Sequence, residues 1–383
     1  MGAILMRAAC FILIIILGHV LRRIGFFKKD DFYVLSKTVL KITLPAAIIS
    51  NMNGMKIEPS LLGLCLLLGL LPHASADYIH WVDFRLSAPV LRSALELDMA
   101  SQGGEQPLDW IDILALAAAW RGGTGVTVAD TQRAAQALRG DTPPERLPGM
   151  AGRYFSYYRE AYGAALGGLA GHFAIRRTDP QTGEAEWIPA YGLKAFSPIA
   201  AGYPWSHYPD FGAQRSYGYA RPHLGNDILG ALGTPICAVE GGTVEALGWN
   251  RYGGWRIGIR SDDRKRYYYY AHLRKDTPYA EGLAVGQRVQ AGEVIGFMGR
   301  TGYSAQENVN NIETVHLHFG LQLIFDESQK ECDSEIWIDV YPIIELLASH
   351  CSSVARDPQT GRWERLYPYC DLDAEPLRSA AAR

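Results

Sequence analysis

The stretch that decides the fold class is GQRVQAGEVIGFMGRTG, residues 286–302. It reads as two short strands, each followed by a glycine-containing turn. WRIGIR at 255–260 alternates apolar and polar positions, and RYYYYAHL at 266–273 alternates by faces. These runs do not have the spacing of βαβ units. The sequence therefore predicts mainly antiparallel β structure over residues 174–350.

The region before this β structure has a helical pattern. Residues 77–173 are predicted to form a helical domain, in which Thr127 and Asp130 have the spacing of a capping box. From 151 to 173 apolar and aromatic residues recur every three or four positions, which predicts a helix with one buried face. The overall class is α+β, and residues 351–383 are predicted to form a C-terminal tail.

The first 76 residues are far more apolar than the rest. Residues 3–21 form a nearly unbroken apolar run of membrane-spanning length, and the basic residues that follow favour the cytoplasmic side. We interpret residues 1–54 as one or more membrane-spanning segments. Residues 55–76 have the layout of a secretory signal peptide, with an early lysine, an apolar core and Ala-Ser-Ala at 74–76. The alternative is that the apolar run at 61–71 begins another membrane helix.

Composition argues against some functions. The chain of 383 residues has 37 basic and 40 acidic side chains and a formal net charge of −3. The basic residues are scattered and form no stripe for a phosphate backbone, so we predict no nucleic-acid partner. None of the six cysteines has CxxC spacing, which argues against a Cys-ligated zinc finger or a thioredoxin-type site.

The candidate metal-binding and catalytic residues are mainly histidines. Four of the ten histidines lie in three short motifs, RPHLGND (221–227), YAHL (270–273) and HLHFG (316–320). Because positions i and i+2 of a strand point to one face, His316 and His318 share a face. His223 and Asp227 are four residues apart and lie on one side in a strand or a helix. Three His or Asp ligands and an open position make a catalytic zinc site, which leaves two imidazoles suited to proton transfer.

These motifs, in this order and with the hairpin at 285–302, resemble the lysostaphin/LytM-type zinc endopeptidases over about residues 195–345. The resemblance implies a two-sheet β catalytic domain and one Zn²⁺ per chain. It also implies an enzyme that hydrolyses peptide cross-links or stem peptides of bacterial peptidoglycan. Such an enzyme works outside the cytoplasm, so we predict a cell-envelope location. The protein would be secreted or anchored in the membrane by its N-terminal segment.

The resemblance also implies a role for each residue. The implied zinc ligands are His223, Asp227 and His318. His272 and His316 become the catalytic pair. One imidazole would take a proton from water and the other would hydrogen-bond the oxyanion or the leaving amine. The sequence leaves open which imidazole has which task.

Two further features bear on the substrate groove. Tyr217 and Tyr219 lie just before the RPHLGND motif, and either is a candidate hydrogen-bond donor to the transition state. A polar loop at 303–315 and a segment at 326–337 are additions relative to the resembled family. Both are predicted to border the groove, so the resemblance does not imply which cross-bridge is preferred.

Two other functions stay open at this point. A non-catalytic member of the same fold would bind the cell wall or activate another hydrolase, although such proteins typically lose zinc ligands and this chain keeps all three. Residues 1–65 resemble the amino-terminal end of auxin efflux carrier family permeases, most clearly in ITLPAAIIS at 42–50. That resemblance allows a membrane transport component, but such carriers need many more spans.

Overall fold

The computed structural model describes residues 78–178, 181–218, 220–330 and 335–374. The predicted membrane segment at 1–54, the predicted signal peptide at 55–76 and the carrier-like stretch at 1–65 lie outside these residues. Across the described ranges, no helix combines the length and the apolar character that crossing a bilayer requires.

The helices precede most of the strands in the chain. The described α-helices are α1 (Ala88–Ser101), α2 (Trp110–Arg121), α3 (Val128–Leu138), α4 (Met150–Leu166) and α5 (Tyr341–Leu347). Short 3₁₀ helices lie at Pro144–Arg146 and Glu327–Gln329. α3 begins with the predicted capping box, in which the Asp130 carboxylate accepts the Thr127 N–H at 3.0 Å and the Thr127 hydroxyl accepts the Asp130 N–H at 3.3 Å.

The predicted helix over 151–173 is wrong at its C-terminal end. α4 ends at Leu166, and two glycines follow it. The next residues, Ala170–Thr178, form a strand that pairs with Ala185–Leu193 over nine positions. The apolar spacing at 169–173 therefore serves a strand, because the ladder with the next segment satisfies its backbone groups.

The strands are β1 (Ala170–Thr178), β2 (Ala185–Leu193), β3 (Trp205–His207), β4 (Gln214–Arg215), β5 (Arg221–Pro222), β6 (Asn226–Gly230), β7 (Pro235–Cys237), β8 (Gly242–Asn250), β9 (Gly254–Ser261), β10 (Arg266–Ala271), β11 (Arg288–Val289), β12 (Val294–Phe297), β13 (His316–Leu323), β14 (Ile336–Ile338), β15 (Val354–Arg356), β16 (Trp363–Arg365) and β17 (Tyr369–Asp371). The central sheet has eight strands in the order β11-β8-β9-β10-β13-β6-β3, with β14 also paired to β13. The pairs within it are antiparallel, as are β7–β12 and β17–β1–β2. The prediction of mainly antiparallel β structure with helices is confirmed.

The two faces of the central sheet have different roles. One face packs into the apolar core through Ile257, Ile259, Tyr268, Tyr270 and Phe319. The opposite face carries Arg256, Tyr267, Tyr269, His318 and Trp337, and we call it the groove face. A Cβ at Gly258 would lie 1.9 Å from the Tyr267 hydroxyl, and one at Gly320 would lie 2.8 Å from the Trp337 ring. The two glycines therefore let these aromatic rings lie close against the sheet.

A buried ion pair joins the helices to the central sheet. Arg266 on β10 is only 1% exposed, and its Nε lies 2.7 Å from the Glu240 carboxylate. The same guanidinium donates to the carbonyl oxygen of Ala164 in the last turn of α4 at 2.7 Å. The Tyr268 hydroxyl donates to Glu240 at 2.6 Å. The Glu240 carboxylate and a backbone carbonyl oxygen of α4 thus both accept hydrogen bonds from one buried cation.

The stretch predicted as a C-terminal tail is structured over part of its length. It contains β15, β16 and β17, and β17 pairs with β1. The ammonium group of Lys194 lies 3.0 Å from Asp371 and 3.1 Å from Asp373. These contacts anchor residues 369–373 to the strands that follow α4.

Candidate active site

The registers of three strands bring distant histidines and a carboxylate together. In β13, His318 stands directly opposite Asp227 of β6 and opposite Ala271 of β10. Directly opposite residues of an antiparallel pair point to the same face. His318 Nδ1 accordingly lies 3.1 Å from Asp227 Oδ1.

His223 completes the group from the turn between β5 and β6. Its Nε2 lies 2.7 Å from His318 Nδ1 and 3.0 Å from Asp227 Oδ1. In the described part of the chain, His223, Asp227 and His318 are the group of His, Cys, Asp or Glu residues whose ligand atoms converge, all within 4.8 Å of one another. Two imidazoles and one carboxylate are the donor types that zinc accepts, so these residues fit a bound zinc ion.

Burial and hydrogen bonds act in opposite directions on the ionised forms of these three residues. Burial disfavours the ionised form of Asp227, but hydrogen bonds with His223 and His318 outweigh it and hold the pKa of Asp227 far below its usual range. Burial also works against a charged His223, yet its bonds with Asp210 and Asp227 raise the pKa of His223 to about 9. Burial lowers the pKa of His318 in spite of the attraction of Asp227. Asp227 therefore stays ionised as an anionic donor.

Two residues that the sequence analysis did not single out orient these donors. His223 Nδ1 lies 3.1 Å from the Asp210 backbone oxygen and 3.2 Å from its carboxylate. Both are acceptors, so Nδ1 carries a proton and directs Nε2 towards the group, where Nε2 would have to lose its own proton to bind a metal ion. Arg215 Nη2 bridges the Asp210 and Asp227 carboxylates at 3.0 and 2.9 Å. This contact uses Asp227 Oδ2, so Asp227 Oδ1 is the oxygen that faces His223 and His318. No motif spacing in the sequence connects Asp210 or Arg215 to the histidines.

We expect Asp210→Asn to lower zinc affinity by roughly 10–100-fold, as is usual when the partner of a ligating histidine is changed. The amide can still accept the Nδ1 hydrogen, but it loses the charge that holds His223 and Arg215. Competition with a chromophoric chelator measures the affinity. Asp112→Asn is the control, because Asp112 pairs with Arg159 on the surface of the helices. Unchanged affinity in Asp210→Asn would contradict the orienting role.

The other two motif histidines lie beside the group with a shared orientation. His272 Nδ1 is 2.9 Å from the Thr301 carbonyl oxygen, and His316 Nδ1 is 2.9 Å from the Thr314 carbonyl oxygen. A carbonyl oxygen only accepts, so in each neutral ring Nδ1 carries the hydrogen and Nε2 holds the lone pair. The two rings are 4.7 Å apart, and His316 Nε2 is 3.7 Å from Asp227 Oδ1.

Burial and neighbouring charge favour a neutral His272. Burial, with the nearby imidazoles of His316 and His318, holds the pKa of His272 well below its usual value. Its backbone adopts the left-handed region, with φ of 61°, immediately after β10 ends. That turn places the ring over the group instead of continuing the alternation of the strand.

Tyrosines line one side of the site. Tyr252, Tyr269 and Tyr303 line the cavity of about 150 Å³ that contains His223, Asp227, His272 and His318. Tyr217 is not among the residues that line it, but its ring stacks on Tyr303 at 4.6 Å. Tyr219 lies outside the described residues. Tyr303 belongs to the added loop at 303–315, so this loop borders the site. Two other cavities, of about 740 and 830 Å³, are larger. The site is therefore identified by its converging donor atoms and not by the volume of its cavity.

Comparisons with known proteins find similarity in the part of the chain that contains this site. Residues 221–331 match the family model of peptidase family M23. The L-Ala–D-Glu endopeptidase of Bacillus subtilis is 40% identical over 130 residues, which are 34% of this chain and 38% of that protein. The glycyl-glycine endopeptidase ALE-1 of Staphylococcus capitis is 38% identical over 98 residues, which are 25% of this chain and 24% of that protein.

Among solved structures, the catalytic domain of lysostaphin from Staphylococcus simulans is 28% identical. The alignment covers 37% of this chain and 92% of that domain, with a TM-score of 0.28. This chain spans less than two fifths of the length of the two endopeptidase relatives. Over residues 221–331 it contains a peptidase family M23 domain, with lysostaphin-type proteins among its homologues.

Proposed function

We propose that this chain is a zinc-dependent endopeptidase that hydrolyses peptide cross-links or stem peptides of bacterial peptidoglycan. The observation that carries the proposal is the convergence of His223, Asp227 and His318 beside two imidazoles that present Nε2. A lysostaphin/LytM-like two-sheet domain over 174–350 is part of the proposal. The names of the relatives, an L-Ala–D-Glu and a glycyl-glycine endopeptidase, support peptide bonds of the cell wall as the substrate.

The mechanism follows from the donors. His223, Asp227 and His318 would hold one zinc ion per chain, and Asp210 and Arg215 would fix their orientation. A zinc ion held by these residues would supply Lewis-acid chemistry, polarising a scissile carbonyl and lowering the pKa of water towards neutrality. The Nε2 lone pair of His272 or His316 accepts the proton of the attacking water. The ring that has taken up this proton becomes a donor and can return it to the leaving amine.

The same proposal sets the partner and the place of action. The partner is a peptidoglycan peptide, which lies outside the cytoplasm. We therefore propose an extracytoplasmic catalytic domain, secreted or anchored through the N-terminal segment. The helical residues 77–173 would precede the catalytic domain on the same side of the membrane.

Digestion of purified peptidoglycan by the zinc-loaded chain tests the function. Mass spectrometry of the soluble products should detect new amino termini that are absent when zinc is chelated. An Asp227→Ala variant should release none, and His80→Ala, which changes an exposed histidine away from the site, should release as much as the unmodified chain. Co-sedimentation with peptidoglycan without new termini would instead favour the non-catalytic wall-binding alternative.

A further inference from the structure

A second cavity continues the site along the groove face. It has a volume of about 240 Å³. Leu224, Tyr269 and His318 line both this cavity and the one that contains the candidate zinc ligands. A peptide whose scissile bond lies at those ligands therefore has a neighbouring residue beside or within the second cavity.

Arg256 is the unusual group in this cavity. Its side chain lines the cavity, and its Nε is buried without a hydrogen-bond partner. Within the described ranges no carboxylate forms an ion pair with it, whereas Arg260 on the same strand pairs with Glu327 at 2.7 Å and Arg266 pairs with Glu240. Buried polar groups are almost always satisfied in folded proteins. A cation left unsatisfied in a cavity beside the site indicates that its partner arrives with a ligand.

The other charged side chains that the structure describes in the cavity lining already have partners within the protein. Lys330 forms an ion pair with Glu245, and its ammonium lies over the Tyr267 ring at 5.1 Å. Glu335 accepts a hydrogen bond from the Trp337 indole at 2.7 Å. Among the described residues that line the cavity, the guanidinium of Arg256 is therefore the cation that remains for a ligand.

The walls of the cavity strengthen an interaction with that charge. Tyr269 and Trp337 stand edge to face, with ring centroids 6.1 Å apart, and Leu224 adds an apolar side. Such walls exclude water and lower the local dielectric, so a charge-assisted hydrogen bond is stronger there than at the surface. A planar guanidinium matches the two oxygens of a carboxylate.

We infer that this cavity is a carboxylate subsite in which Arg256 binds an acidic group of the substrate, close to the bond that is cleaved. The inference rests on the proposed endopeptidase function and names its substrate class. Stem peptides that carry a free carboxylate next to the scissile bond are preferred over uncharged bridges such as polyglycine.

Two labelled peptides that differ in one group test the subsite. Both contain the L-Ala–D-Glu unit, and the glutamyl residue carries either a free α-carboxylate or a carboxamide. The zinc-loaded full chain should show a kcat/KM for the carboxylate form that is about tenfold higher or more, as expected for a charged hydrogen bond. Arg256→Gln should bring the ratio close to 1 with little change for the carboxamide form. Arg256→Lys should keep part of the preference.

Arg92→Gln on α1 is the matched control, since it removes an exposed arginine from the helices. It should keep the ratio of the unmodified chain. An unmodified ratio near 1, or equal losses for both peptides in Arg256→Gln, would overturn the subsite, because equal losses mean a structural role.

Binding separates this inference from the proposed function. With zinc chelated, fluorescence anisotropy reports the affinity of the same uncleaved peptides, and the carboxylate form should bind about tenfold more tightly through Arg256. That preference without hydrolysis in the zinc-loaded chain would refute the endopeptidase and keep the subsite. Hydrolysis without any preference in either assay would refute the subsite and keep the endopeptidase.

Discussion

The His318→Ala variant should lose stoichiometric zinc and all measurable peptidase activity. His318 Nδ1 lies 2.7 Å from His223 Nε2 and 3.1 Å from Asp227 Oδ1, so its removal leaves two donors where the geometry supplies three. Changes in residues that only orient a metal ligand already weaken binding by roughly 10–100-fold. Loss of a ligand itself should exceed that range.

Metal content after dialysis against a weak chelator measures this effect. The unmodified chain and His80→Ala should each retain about one zinc per chain, and His318→Ala should retain far less. Circular dichroism and thermal unfolding establish that the variant is folded. Stoichiometric zinc in a folded His318→Ala protein would remove His318 from the ligand set.

The second large effect separates catalysis from metal binding. His272→Ala and His316→Ala should each keep zinc but lose roughly 10²–10⁴-fold in kcat, the usual contribution of a general acid–base group. Neither residue belongs to the converging group of three, and each ring is held by a carbonyl oxygen through Nδ1. Removing either ring therefore takes away an Nε2 lone pair and leaves the ligands in place.

Zinc content and peptide hydrolysis are measured on the same preparations. His350→Ala is a suitable control, because His350 bonds the Ala195 carbonyl oxygen away from the site. Full activity in His272→Ala or His316→Ala would exclude that residue from proton transfer. Loss of zinc in either variant would place it among the ligands instead.

Local patterns in the sequence were sufficient to predict the strand class and to single out, as candidates, five motif residues that the structure brings close together. Alternation along HLHFG correctly places His316 and His318 on one face, because strand geometry is a property of neighbouring residues. The different hydrogen-bond partners of His316 and His318 depend on the register between paired strands. His318 faces Asp227, which is 91 residues away, while the Nδ1 of His316 bonds Thr314. A hydrogen-bond ladder between distant segments sets that register, and no local pattern encodes it.

Contacts between distant segments also explain what the sequence analysis missed. Asp210 reaches His223 and Arg215 reaches Asp227 through short strands and turns without a repeating pattern. The alternation of WRIGIR marks Arg256 only as a polar position, and the lack of a partner for its buried Nε depends on which groups the fold places around it. The prediction of a helix that reaches residue 173 was wrong, because strand pairing outweighed the helical spacing of the residues after Leu166.

The buried Arg266 has a consequence for how this protein could have been assembled from parts. Its guanidinium needs Glu240 from the β region and a carbonyl oxygen from the last turn of α4. A recombination event that exchanged the helices for an unrelated module would keep the pair with Glu240 but leave a buried N–H of this cation without its acceptor, at a cost of about 1–3 kcal/mol. We therefore expect the helices and the central sheet to be inherited together.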